Sequence, residues 1–284
     1  MCAQSPPPPP SPRLPSCHVV LALATLSPLL LLWNDLFLLP LPAFPSLPLF
    51  VHVDDLFKFA VFSPASLLLI HYLELASLEL RSPPPPSSPS SPSSPSLAHL
   101  LLTAAYFYGF GVNHSANALS NFLEKRSGAP PPPEVAAGLF FFDEFVGHWV
   151  SAGAYALMQI RWSVVSLSSP PPSRPPYSTA LVLSLAVLGG YFTSLGLLEA
   201  QAMFFYIYLL PPLLLISFLA QTRHPSPLPL YVGCQALVHA AVAAWWFSAY
   251  GEFVEPSVLV KERGMTIIEI MKLGFHKPGN RIEL

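Results

Sequence analysis

The chain contains, at residues 179–198, the stretch TALVLSLAVLGGYFTSLGLL, in which no side chain is charged. A helix needs about 20 mainly apolar residues to cross the hydrocarbon core of a bilayer. Inside lipid every backbone N–H must be bonded within its own segment, and a helix satisfies that condition. This stretch therefore predicts a transmembrane helix.

The composition of the whole chain agrees with this interpretation. Of its 284 residues 52% are hydrophobic and only 10% are charged, whereas soluble domains carry about a quarter charged residues. The composition therefore argues against a soluble globule. The formal charge of −2 offers no basic surface to nucleic acid. Cys2, Cys17 and Cys234 lie far apart without a CxxC pair, so neither a disulfide framework nor a thiolate metal site is predicted.

Similar apolar stretches recur along the chain. They predict an all-α, polytopic integral membrane helix bundle with about seven transmembrane helices, six being the alternative count. Five spans are clear, at residues 97–122, 135–161, 179–198, 202–220 and 230–250. The span at 56–80 carries charged residues near both ends, and the span at 18–39 is interrupted by Pro28. The predicted bundle extends over residues 18–250.

Prolines, 36 in all, gather mainly between the predicted spans. Pro/Ser runs lack the N–H groups of a helix ladder and bury little surface, so they predict disordered, solvated loops. These predicted loops are residues 82–96, 130–133, 170–176 and 225–229, with a disordered Pro-rich N-terminus at 1–17. No such tract separates residues 198 and 202, which predicts a tight hairpin around Glu199 and Gln201.

Residues 251–284 form a polar tail. Apolar residues within it recur at helical spacing, as in an interfacial amphipathic helix: Val260, Ile267, Ile268, Met271 and Phe275. Five basic residues in the tail favour a cytosolic C-terminus: Lys261, Arg263, Lys272, Lys277 and Arg281. The N-terminus lacks the charged region and cleavage site of a secretory signal, which favours a retained anchor. Membrane lipid is the expected surrounding, and no organelle is indicated.

Two of the predicted spans carry stripes of polar residues. In GVNHSANALSN the residues His114, Asn117 and Asn121 share one face of a helix, and Asn113 lies on its shoulder. In FFFDEFVGHWVSAGAY the residues that share one face are Glu144, His148, Ser151 and Tyr155, with Asp143 one residue aside. Ionisable groups in a span usually face the bundle interior, so we expect the two stripes to face each other.

The types of side chain in these stripes suggest an acid/base or metal-binding site. Imidazole and carboxylate are ligands of Zn²⁺, so His114 and His148 are candidate metal ligands, with His239 of the last span as the third. Asp143 or Glu144 would then act as general base on a metal-bound water. This hypothesis describes a metal-dependent, lipid-modifying membrane enzyme, with a divalent metal such as zinc as its cofactor.

Two alternatives fit the same residues. A proton- or ion-coupled carrier would use the carboxylates and histidines as a protonation relay. A structural protein would use Asn117, Asn121 and Gln235 only to hold helices together. Gly109, Gly111 and Gly147 flank the stripes and predict close packing of the two helices, which favours a fixed site.

A seven-helix bundle with dispersed histidines and a carboxylate resembles, at the level of fold, the membrane hydrolases that include alkaline ceramidases and adiponectin receptors. Those proteins carry a His-x₃-His pair on the last helix. This chain has Gln235 and His239 there, so one metal ligand of that pattern is missing. The resemblance implies a fold class only, and no family is recognised across the chain.

Overall fold

The computed structural model describes residues 19–26, 63–79, 96–127, 131–167, 178–254 and 259. Within these ranges the chain forms helices and turns and no strand, which confirms the predicted all-helical class. The helices are α1 (19–26), α2 (Ser63–Glu79), α3 (Leu97–Ser127), α4 (Pro133–Phe140), a π-helix (Phe141–Trp149), α5 (Val150–Leu167), α6 (Thr179–Glu199), α7 (Met203–Tyr206), α8 (Leu210–Arg223) and α9 (Pro227–Tyr250).

In the part of the chain that the structure describes, two helices, α6 and α9, are long and apolar enough to cross a bilayer. They coincide closely with the predicted spans 179–198 and 230–250. The predicted span 97–122 is also helical throughout, within α3. Only 19–26 of the first predicted span and 63–79 of the second lie among the described residues.

The predicted span 135–161 lies within one continuous helical stretch that changes its winding. The backbone remains helical from α4 through the π-helix into α5, as the dihedrals of Phe140, Phe141 and Val150 demonstrate. A π-helix bonds residue i to i+5 rather than i+4, and such segments are rare and frequently occur at functional sites. The wider winding covers FFDEFVGHW, which holds the predicted acidic residues and His148.

The prediction of one helix over residues 202–220 is wrong, because the helix is interrupted between α7 and α8. Residues 207–209 form turns in which Leu209 N–H bonds the carbonyl of Tyr206, three residues back. Pro211 and Pro212 begin α8. Proline has no N–H and tolerates only the first turn of a helix, so α7 cannot continue through this pair.

The predicted hairpin between α6 and α7 is present. Gln201 adopts a left-handed conformation with φ 47°. The N–H of Ala202 bonds the carbonyl of Leu197, and the N–H of Gln201 bonds that of Leu198. These two bonds satisfy carbonyls that the helix end would leave without donors.

Two of the predicted loops extend into helices, contrary to the prediction. Pro133 is the first residue of α4, and residues 227–229 lie in the first turn of α9. Leu228 and Pro229 are buried. Proline fits the first turn of a helix because the backbone N–H that it lacks would have no acceptor within the helix there. The tracts at 82–95 and 170–176, the N-terminus 1–17 and the amphipathic helix of the tail lie outside the described residues.

The most extensive helix–helix contact in the described residues is between α6 and α9. A Cβ on Gly190 would lie 2.9 Å from the Cβ of Val238, so the two backbones approach because that position has no side chain. Trp162 of α5, Tyr206 of α7 and Trp246 of α9 are fully buried in the same core. After α9 the chain turns back at Gly251, with φ 77°, and the Trp246 indole donates to the carbonyl of Val254.

Candidate functional site

The two helices that carry the predicted polar stripes cross in backbone contact. A Cβ on Gly109 of α3 would lie 2.6 Å from the carbonyl oxygen of Gly147, and a Cβ on Gly147 would lie 2.6 Å from the Cβ of Asn113. Neither glycine could carry a side chain without moving a helix. The close packing predicted at these two residues is therefore present, whereas Gly111 has open space around it.

Asn113 connects the polar groups at this crossing. Its Nδ2 donates to Oδ1 of Asp143 and lies 2.7 Å from Nε2 of His148. Asn117, one turn further along α3, donates to the same Asp143 oxygen over 3.2 Å. An amide nitrogen has two hydrogens, so it can serve both partners when His148 is neutral and accepts at Nε2. The site is therefore a carboxylate held by two amides, beside an imidazole.

The π-helical winding explains why Asp143 belongs to this site. In an α-helix residues five apart lie about 140° apart around the axis, so Asp143 and His148 would point in different directions. In a π-helix five residues make about one turn, which brings the two side chains to the same face. In an α-helix residues four apart share a face, and for that reason the sequence pattern pairs His148 with Glu144 rather than with Asp143.

The remaining predicted site residues are placed differently. His114 is buried, and its ring meets the edge of the Phe110 ring at 4.1 Å between centroids. The side chains of Glu144 and Asn121 lie outside the described part of the structure. His239 is buried on α9, where Nδ1 lies 2.7 Å from Oγ of Ser194 and the ring packs against Tyr206.

Among the described residues, no three His, Cys, Asp or Glu side chains converge as they would around a metal ion. The proposed ligand set of His114, His148 and His239 is thus not gathered in this arrangement. His148 and His239 instead have separate partners, Asn113 and Ser194.

A second polar cluster, which sequence reasoning did not assemble, runs through the bundle core. Tyr206 donates to Oε1 of Gln159 at 2.7 Å, and Nε2 of Gln159 donates to Oε1 of Gln235 at 3.0 Å. Gln235 in turn donates to the Tyr231 hydroxyl at 2.9 Å, which lies 3.1 Å from the hydroxyl of Thr25. We call these five residues the core chain. Every polar side-chain atom of the core chain has at least one hydrogen-bond partner.

Gly189 of α6 makes room for the core chain. A Cβ there would lie 2.8 Å from Nε2 of Gln235 and 2.9 Å from the Tyr231 hydroxyl. The core chain joins α1, α5, α7 and α9, while Thr25 also contacts the carbonyl of Leu185 on α6. The amides of Gln159 and Gln235 within apolar spans are the sequence signals for this network, and Gln235 is one of the residues predicted to hold helices together.

A buried ion pair forms a third cluster. Arg161 of α5 donates to Oε2 of Glu74 on α2, and its second amine donates to Oγ of Ser96 at 2.8 Å. The ring of His99 on α3 lies 3.4 Å from the same Glu74 oxygen. Glu74 is fully buried, so its charge is compensated inside the protein. This cluster joins α2, α3 and α5 and is separate from the site at Asp143.

Comparison of the chain with protein-family models, with curated proteins and with solved structures finds no match. The function is therefore inferred from the geometry of the clusters themselves.

Proposed function

We propose that the chain is a multi-pass membrane protein in which about seven helices form the bundle. The support is the distribution of apolar side chains, many of which lie on the outside. Exposed large apolar residues occur along most of the helices, for example Leu68, Leu101, Phe141, Leu188, Phe218 and Leu237. Amides, hydroxyls and the ion pair lie inside. An apolar exterior around a polar interior suits lipid as the surrounding medium.

We propose further that the protein is a proton-coupled carrier of a small solute, with Asp143 as the proton-binding group. The observation that supports this best is the position of Asp143 at the helix crossing, bonded to Asn113 and Asn117. Asp143 is half-buried, whereas Glu74 is fully buried and paired with Arg161. An ionisable group in a membrane segment costs about 2.5–3.5 kcal/mol by insertion scales, and function is its usual reason.

His148 suits the role of proton relay. It shares Asn113 with Asp143. An imidazole changes its charge near neutral pH, so it can pass a proton to or from a neighbouring carboxylate. The break between α7 and α8 is a second feature of carriers, whose helices are often interrupted near the bilayer midplane.

Electrical recording from proteoliposomes on a solid-supported membrane tests this proposal with the proton alone as probe. A jump in proton concentration should produce a transient charge movement as Asp143 is protonated. Asp143→Asn should abolish the signal. Glu134→Gln should keep it, because Glu134 is an exposed carboxylate in the first turn of α4. A signal that survives Asp143→Asn would contradict the proposal.

Elemental analysis of the purified protein separates the carrier from the metal-dependent lipid-modifying enzyme. For the carrier we expect no stoichiometric zinc. Zinc at one equivalent that disappears in His148→Ala would instead support the enzyme and overturn the carrier. The same sample serves both measurements, so the two functions are compared on identical protein.

A further inference from the structure

The two helices on either side of the π-helix are anchored very differently. α4 has no buried residue, so no packing in the core fixes its rotation. α5 has nine buried residues, among them Gln159 and Trp162. A change of winding between them would therefore turn α4 and leave α5 in place.

The geometry of such a change follows from helix dimensions. A π-helical segment within an α-helix accommodates one residue more than the α-helical winding would. If residues 141–149 rewound as an α-helix, α4 would rotate by about 100° and move by about 1.5 Å along the axis. Asp143 and His148 would then lie about 140° apart around the axis, and Asn113 could no longer reach both.

The contacts that favour the π-helix come from α3. Asn113 bonds the two side chains that the π-helix brings together, and its Cβ lies against the backbone of Gly147. π-Helices are intrinsically less favourable than α-helices, so these bonds select the winding. Asn117 still donates to Asp143 when Asn113 is lost, but it does not contact His148, so we expect the α-helical winding to be preferred once the bridge between the two side chains is gone.

We propose that residues 141–149 are a two-state register switch, π-helical when Asn113 bridges Asp143 and His148 and α-helical when the bridge is open. In the first state the proton-binding group faces α3 beside His148, and in the second it turns away from His148. The change of winding does not depend on the proposed function, but its purpose does. That purpose would be to expose Asp143 alternately to two surroundings.

Spin-label distances between α3 and α4 test the switch without any transport assay. Labels are placed at Leu119→Cys and Ala137→Cys, both exposed positions, in a chain whose Cys2, Cys17 and Cys234 are replaced by alanine. In this background Asn113→Leu should move the label at residue 137 by about 8 Å and change the main distance by up to that amount, because a side chain about 5–6 Å from the axis turns through about 100°.

A one-residue deletion provides the matched control. Removing Phe142 takes out the extra residue, so the segment becomes α-helical while α4 keeps its native orientation. The deletion variant should give the unchanged distance, and adding Asn113→Leu to it should cause no further shift. If Asn113→Leu does not yield monodisperse protein, His148→Phe replaces it, because that substitution removes the bond between Asn113 and His148. We expect it to give the same change in distance.

Two results would overturn the switch: an unchanged distance in Asn113→Leu, or an equal shift when that substitution is added to the deletion variant. A failed proton signal with the expected distances would reject the carrier function and leave the switch in place. The deletion variant should also lose the proton signal, because its Asp143 and His148 no longer share a face.

Discussion

At the scale of single residues, Gln159 is the centre of the core chain. It accepts from Tyr206 and donates to Gln235, so each of its polar atoms has one interhelical partner. All three side chains are fully buried. Loss of Gln159 would therefore leave two buried polar groups without partners.

Gln159→Leu should lower the free energy of unfolding by about 1–3 kcal/mol, because a buried polar group left without its hydrogen bond carries that cost. Thermal unfolding in detergent, followed by near-ultraviolet circular dichroism, measures the change. Thr222→Val is the control, since Thr222 is exposed and bonds only the carbonyl of Leu219. Equal melting temperatures for the Gln159 variant and the wild type would contradict the importance of the core chain.

Gln201 offers a prediction of the opposite sign. Its φ of 47° is unfavourable for a side chain with a Cβ and neutral for glycine. Gln201→Gly should therefore raise the free energy of unfolding by up to about 1 kcal/mol. The same melting experiment detects it, and a lower melting temperature would indicate that the side chain of Gln201 matters more than its backbone.

At the scale of helices, Gly111 and Gly147 form a natural pair for comparison. A methyl group on Gly147 would collide with Asn113, whereas one on Gly111 meets no atom within 4 Å. Gly147→Ala should cost about 1–3 kcal/mol, the usual cost of overpacking. Gly111→Ala should be neutral or stabilising by about 0.5–1 kcal/mol, because alanine suits a helix interior better than glycine. Chemical unfolding of both variants in one detergent checks the sign of each change.

Helices were predictable from the sequence where apolar residues run without interruption. α6 and α9 have nearly the predicted ends, since no proline lies inside α6 and those of α9 lie in its first turn. Hydropathy alone does not predict the interruption before Pro211, because it takes no account of the backbone N–H that proline lacks. The proline-rich composition of residues 225–229 predicts a loop, whereas Pro227 and Pro229 lie in the first turn of α9.

The candidate site was predictable in part. His148 and Asp143 were recognised because ionisable groups are rare in apolar stretches. Asn113 was placed at the edge of the stripe, yet it connects both groups. The π-helix could not be predicted from local propensity, because the contacts that favour it come from α3, which precedes it in the chain.

At the scale of the whole molecule, the ion pair of Glu74 and Arg161 joins α2 to α5, and His99 of α3 lies beside the same carboxylate. Arg161→Gln should lower the free energy of unfolding by about 3–5 kcal/mol, because it leaves the Glu74 carboxylate buried without its cation. Adding Glu74→Gln should recover much of that loss, since the double variant buries no charge. A double-mutant cycle measures the coupling, and additive losses would indicate that the two groups do not interact.

The outer surface of the bundle provides the test of membrane insertion. Single cysteines at Leu188 and Leu237, both exposed on the bundle, should resist a membrane-impermeant maleimide because lipid covers them. A cysteine at Glu252, exposed beyond the end of α9, should react. Rapid labelling of all three in native membranes would contradict the proposed bilayer position. Labelling at Glu252 from one side only also reports the predicted cytosolic orientation of the tail.

The bond between Thr25 and Tyr231 joins residues 206 positions apart and has a consequence for biogenesis. At translation rates of about 5–20 residues per second, about 10–40 s pass between the synthesis of one partner and that of the other. Throughout that interval the Thr25 hydroxyl has the carbonyl of Leu21 in its own helix as acceptor, but not yet the Tyr231 hydroxyl. A chain that ended before Tyr231 would therefore lack the hydrogen bond that joins α1 to α9.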